Sequence, residues 1–199
     1  NVNGQDRIIV VNKLESMGSI NVTGDGKLTI MIKSEMKFGS GEVNTEKNVK
    51  NLDIFYAGTA EPNFGGNMKI FGNLYSKTAN LTIAGSSGIQ GNILSGGSNI
   101  IITGGSKNIA QMFFAPNAHV EFSGGGNLKG KVIAKNFTIS GGGTVDFTAP
   151  DIDDDLFNPD LPDDSEGGSS DGSSGKGSEI IETGAKPSIF KKKVREEIN

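Results

Sequence analysis

The sequence predicts an all-β protein wound as a parallel solenoid, and three observations carry that reading: a repeat period near 19 residues, in–out alternation inside the repeats, and glycines at one fixed place in each. Short apolar segments ending in Ala or Ser recur at Phe55-Tyr56-Ala57, Leu74-Tyr75-Ser76, Ile93-Leu94-Ser95, Phe113-Phe114-Ala115 and Val132-Ile133-Ala134, in steps of 19, 19, 20 and 19. A second series is Leu81-Thr82-Ile83, Ile100-Ile101-Ile102, Val120-Glu121-Phe122 and Phe137-Thr138-Ile139. A third places one strong apolar residue per turn at Ile70, Ile89, Ile109 and Leu128. Three independent series with one period are the signature of stacked turns that cannot bury their apolar sides alone. Each turn then holds three short strands and three corners, with turns about 4.8 Å apart.

Within the second series, alternation turns Leu81, Ile83, Val120 and Phe122 inward and Thr82 and Glu121 outward. Gly85, Gly104, Gly105, Gly124 to Gly126 and Gly141 to Gly143 follow that strand, at corners where a positive φ suits glycine. Asn80, Asn99 and Asn136 precede it, and are expected either to adopt left-handed conformations or to hydrogen-bond up the stack. Upstream, residues 18–34 alternate in the same way around a Gly-Asp-Gly turn and form the first turns, with residues 7–11 as a leading strand. The solenoid is expected to be right-handed and to span residues 1–148, of which 1–50 are N-terminal turns or cap.

Downstream the pattern stops. Residues 149–178 are rich in Asp, Gly and Ser and read as an acidic linker. Residues 179–199 read as a tail with one short amphipathic helix, on which Phe190, Val194 and Ile198 share a face.

Composition narrows the function. The chain has 199 residues, no Cys, no Trp and one His, and its formal charge of −4 argues against a nucleic-acid surface. No apolar run approaches a membrane span, and residues 1–20 do not resemble a signal peptide. An exported protein would therefore have its targeting segment removed or outside this chain.

The runs "GKLTIMIKSEMKFGSGEVN", "NLDIFYAGT" and "FFAPNAHVEFSGGGNLKGKVIAKNFTISGGGTVDF" resemble the β-helical domain at the C-terminal end of bacterial pilus-associated (PilX-like) and other surface proteins. The similarity covers about residues 18–148. Its most specific parts are the Ala-Pro-Asn-Ala block at 115–118, the Gly-x-Val-Ile-Ala-Lys block and the Ile-Ser-Gly-Gly-Gly block. The resemblance implies an extracellular or cell-surface location and no catalytic residues.

The residues by themselves give no acid–base constellation. The outward positions Thr82, Ile101, Glu121 and Thr138 pair no carboxylates, and break the threonine ladder an ice-binding face would need. His119 sits at a corner that is Asn80 and Asn99 in other turns, and reads as a turn residue. No enzyme activity and no cofactor are expected. Asp151, Asp153, Asp154 and Asp155 supply oxygens of the kind calcium takes but match no calcium loop, so a solvated linker is the preferred reading and calcium the alternative.

An outward apolar stripe is expected at Tyr56, Tyr75, Leu94, Phe114 and Ile133, one above another. Such a stripe needs a cover. Its candidate is the tail, through Ile180, Ile181, Ile189, Phe190, Val194 and Ile198, on the same chain or a neighbouring one. The expected function is a non-enzymatic structural subunit of a cell surface or pilus that self-assembles through its turn ends, stripe and tail. Its partner is then a second copy or another surface protein. The alternative is an adhesin-like module that stacks carbohydrate on Tyr56 and Tyr75, or binds a host protein.

Overall fold

The computed structural model describes residues 1–147 apart from Gly65. They form a parallel β-solenoid of about seven turns. Its strands are β1 (Arg7–Ser16), β2 (Leu28–Phe38), β3 (Gly41–Val43), β4 (Leu52–Tyr56), β5 (Asn63–Phe64), β6 (Met68–Phe71) and β7 (Asn73–Ser76). They continue through β8 (Leu81–Ile83), β9 (Gly88–Gln90), β10 (Ile93–Ser95), β11 (Asn99–Ile102), β12 (Lys107–Phe122), β13 (Asn127–Ile139) and β14 (Thr144–Asp146). All belong to one hydrogen-bonded network, and every pairing among them is parallel.

Three faces result. The first stacks the leading halves of β1 and β2, then β4, β7, β10 and the middles of β12 and β13. The second stacks the trailing halves of β1 and β2 with β5, and separately β8, β11 and the ends of β12 and β13. The third stacks β3, β6, β9, the starts of β12 and β13, and β14. Most of the short strands pair with the turn above and the turn below, as β10 does with β7 and β12; β8 pairs on one side only, with β11. Their inward side chains form continuous columns, such as Ile30–Ile54–Leu74–Ile93–Phe113 on the first face, all buried.

The second series stands as expected: Leu81, Ile100 and Val120 form one buried column, Ile83, Ile102 and Phe122 the next. Its corner glycines have the expected positive φ except at Gly126 and Gly143. Gly85, Gly104, Gly124 and Gly141 align with φ between 53° and 70°. Gly126 and Gly143 keep ordinary φ, but a Cβ on them would collide with the carbonyl oxygens of Ile102 and Phe122 in the turn below.

Asn80 takes the second of its two expected roles. It is not left-handed, and its Oδ1 accepts from the Ser98 amide at 3.1 Å and the Asn99 amide at 2.9 Å, one turn up. The left-handed non-glycine residues are instead Asn3, Asn44 and Lys47.

The third series is corrected at one position. Ile109 is not in the core: it pairs with Gln90 and is 39% exposed. Asn108 takes the inward place, in register with Leu128, and is 1% exposed. The cause is a register shift between Ala110 and Met112, which puts the extra residue of this turn after the strand rather than before it. A one-residue slip exchanges inward for outward. Asn108 is tolerated among Ile89 and Leu128 because its Oδ1 accepts from the Ile89 amide at 3.0 Å and its Nδ2 donates to the Asn127 carbonyl oxygen at 3.3 Å.

Asn108→Leu would match the apolar column but strip the Ile89 amide of its acceptor, at a cost of about 1–3 kcal/mol. The expected result is a lower denaturant midpoint for the full-length variant than for the wild type. A higher midpoint would mean that apolar burial outweighs those two hydrogen bonds.

Candidate functional site

The most conspicuous outward feature is a ladder on the first face. Strand register stacks Val10, Met31, Phe55, Tyr75, Leu94, Phe114 and Ile133, one per turn over all the described turns. At about 4.8 Å per turn it runs on the order of 30 Å. Tyr75, Leu94, Phe114 and Ile133 lie where the sequence puts them. Val10, Met31 and Phe55 extend the ladder toward the N-terminus and were not in the expected set.

Tyr56 is a correction. It pairs with Ser76, points inward and is 1% exposed, so it is no part of the outer stripe. Phe55 rather than Tyr56 pairs with Tyr75, which makes this step 20 residues instead of 19. Inside, the Tyr56 hydroxyl lies 2.7 Å from the Ala60 carbonyl oxygen and 3.0 Å from that of Ser34, and it ties that corner to the turn below.

Phe55 and Tyr75 are nearly parallel stacked rings, 4.4 Å between centroids and 8° between planes. Because they sit on successive turns, each turns one ring face to the other. Beside it, Phe55, Tyr75, Leu94 and Phe114 with Lys77, Pro116 and Asn117 line a groove of about 560 Å³. It is predominantly apolar.

A polar relay supports the ladder at the adjoining corner. Asp53, a buried carboxylate, accepts from Lys27 Nζ at 3.1 Å and from Asn73 Nδ2 at 2.9 Å. Asn73 Oδ1 then accepts from the Asn92 amide at 2.9 Å, and Asn92 Oδ1 from the Met112 amide at 3.0 Å. The relay thus climbs four successive turns. The spacing of Asn73 and Asn92 carries it in the sequence, where only the asparagines before the second-series strand were singled out. Burial, and secondarily the negative charge of Asp53, push the Tyr75 hydroxyl up to about 12. Burial, and secondarily Glu35, also raise that of Tyr56.

The candidate cover residues Ile180, Ile181, Ile189, Phe190, Val194 and Ile198, and the candidate calcium ligands Asp151, Asp153, Asp154 and Asp155, lie outside the described residues. Among the described residues no three acidic, histidine or cysteine side chains converge, and no helix is long and apolar enough to cross a membrane. His119 is half-buried in β12, in register with Asn99 and Asn136.

The class defined by these features is a parallel β-solenoid with an external aromatic–aliphatic ladder. No family model, curated protein or solved structure matches the chain, so the resemblance to pilus-associated β-helical domains rests on the quoted sequence blocks alone.

Tyr75 gives a direct pH test. The folded chain holds the phenol proton more tightly than an unfolded tyrosine, whose pKa is about 10. Its stabilising contribution is therefore full below about pH 10 and is lost as pH rises toward about 12. Ultraviolet titration of the two tyrosines is expected to show little tyrosinate at pH 10.5 in the folded chain, and the ordinary midpoint after denaturation. An ordinary midpoint in the folded chain would contradict the burial of the ladder.

Proposed function

We propose that this protein is a non-enzymatic structural subunit that assembles with copies of itself end to end. The observation that supports this reading is the open backbone edge at each end of the described stack. Among the described residues β1 pairs only with β2, and at the far end the trailing half of β13 pairs only with β12. Each end also exposes side chains that belong to core columns: Ile9 at 46% on one end, Phe137 at 39% and Ile139 at 48% on the other.

Unpaired parallel edges flanked by apolar side chains are templates for another chain. The two ends match in kind. Val132 and Ile9 occupy the same inward column of the first face, and Ile133 and Val10 the same ladder. A second copy stacked in register would continue both. Such a contact joins two different surfaces, does not close on itself, and propagates.

The cell-surface or pilus setting of this assembly rests on the sequence resemblance. The adhesin alternative is less favoured on this face: sugars stack on exposed ring faces, and the mutual stack of Phe55 and Tyr75 takes one face of each.

Analytical ultracentrifugation and negative-stain microscopy of the full chain test the reading. Concentration-dependent linear assemblies are expected, and Ile9→Lys or Ile139→Lys, which places a charge in the joint, should leave single copies with unchanged circular dichroism. A wild-type chain that stays monomeric at high concentration would sink end-to-end assembly.

A further inference from the structure

The third face carries a second concavity, of about 380 Å³, with a different chemistry from the ladder groove. Two outward rows line it. One row reads Lys69, Gly88, Lys107 on three successive turns, so two ammonium groups flank a position that has no side chain. That gap is built in, because a Cβ on Gly88 would collide with the Lys107 carbonyl oxygen. The adjacent row reads Phe71, Gln90, Ile109. An apolar side chain thus stands above and below a polar amide.

The register correction at Ile109 acquires a meaning here. The residue that the repeat period assigns to the core is turned outward to form one wall. Beside the concavity, Lys47 Nζ stands over the Phe71 ring, 5.4 Å from its centre. Ion pairs among the described residues include Lys13 with Glu35, Lys27 with Asp53 and Lys37 with Glu15, away from Lys69 and Lys107.

We propose that this concavity binds an acidic polysaccharide lying along the stack. Lys69 and Lys107 stand two turns apart, about 10 Å along the axis, and would take carboxylates from different positions on one chain. The gap at Gly88 admits a sugar ring between them. Ile109, which is exposed, meets the C–H groups of that ring above the buried Phe71, and Gln90 and Ser86 meet its hydroxyls. The combination of spaced cations, apolar walls and neutral hydrogen-bonding groups separates this ligand from a simple anion, which needs only charge. This anionic glycan site lies on the third face, away from Tyr56 and Tyr75, where the alternative adhesin reading put carbohydrate.

The test is calorimetric titration of the full-length protein with polygalacturonate, with dextran as the neutral polymer and inorganic polyphosphate as the anion without sugar. Polygalacturonate is expected to bind, more weakly as salt is raised, and dextran and polyphosphate to bind at least tenfold more weakly. The Lys69→Gln/Lys107→Gln variant should lose at least tenfold in polygalacturonate affinity, whereas Lys33→Gln should not. These exposed lysines leave the core intact, so circular dichroism and the end-to-end assembly assay should be unchanged in both variants. Dextran binding as tightly as polygalacturonate would overturn the role of charge. Equal binding of polyphosphate would overturn the role of the sugar, and an unaffected lysine variant would overturn the site. None of these outcomes bears on the assembly assay, which reads the ends alone.

Discussion

Backbone hydrogen bonding between successive turns is the constraint from which the rest of this structure follows. Once a residue is paired with the one below it, its height, its column and the side it faces are fixed together. Every column is then a set of residues that must tolerate the same neighbours at about 4.8 Å. Aliphatic side chains satisfy this by interdigitation, as in Ile30–Ile54–Leu74–Ile93–Phe113. Rings satisfy it by lying parallel, as Phe55 and Tyr75 do. Asparagines satisfy it by passing a hydrogen bond to the next turn, as Asn73 and Asn92 do beside the ladder and Asn108 does inside the core.

The corners carry the compensating cost. A turn can gain a residue only where pairing is interrupted, and the extra residue between Ala110 and Met112 falls at such a point. Where the backbone of one turn lies against that of the next, glycine is required for space as well as for φ. At Gly130 both demands coincide: its φ is 143°, and a Cβ would be driven into the Ala110 carbonyl oxygen. Charge enters only at the periphery. The cross-strand pairs of Lys13 with Glu35 and Lys37 with Glu15 sit on exposed positions, where such pairs add little to stability.

Much of this was legible in the sequence because a stacking constraint conserves residue type at a fixed period. The fold class, the second-series columns and the left-handed corner glycines follow from it directly. Parity was harder to read. A period that alternates between 19 and 20 residues locates a turn to within one residue, and one residue is the difference between core and surface. Tyr56 and Phe55 are adjacent and both aromatic, so the letters do not say which pairs with Tyr75. Ile109 and Asn108 mislead in a different way, because an isoleucine looks like a core residue and an asparagine does not. Only the hydrogen bonds of Asn108 to two other turns explain the reversal. The early ladder members Val10 and Met31 were hidden because the N-terminal strands are long and continuous, with Val11 and Ile32 directly after them where the later turns have Ala or Ser.

The short strand β5 gives the stack an uneven response to force. Along the axis the turns are links in series, and the strands within each junction share the load in parallel. The junction between the turn of β4–β6 and that of β7–β9 is paired through β4–β7 and β6–β9, while β5, two residues long, pairs with β2 and not with β8. Among the described residues, a pull along the axis is carried at this junction by those two strand pairs and by the Ser86 amide bonded to the Gly66 carbonyl oxygen.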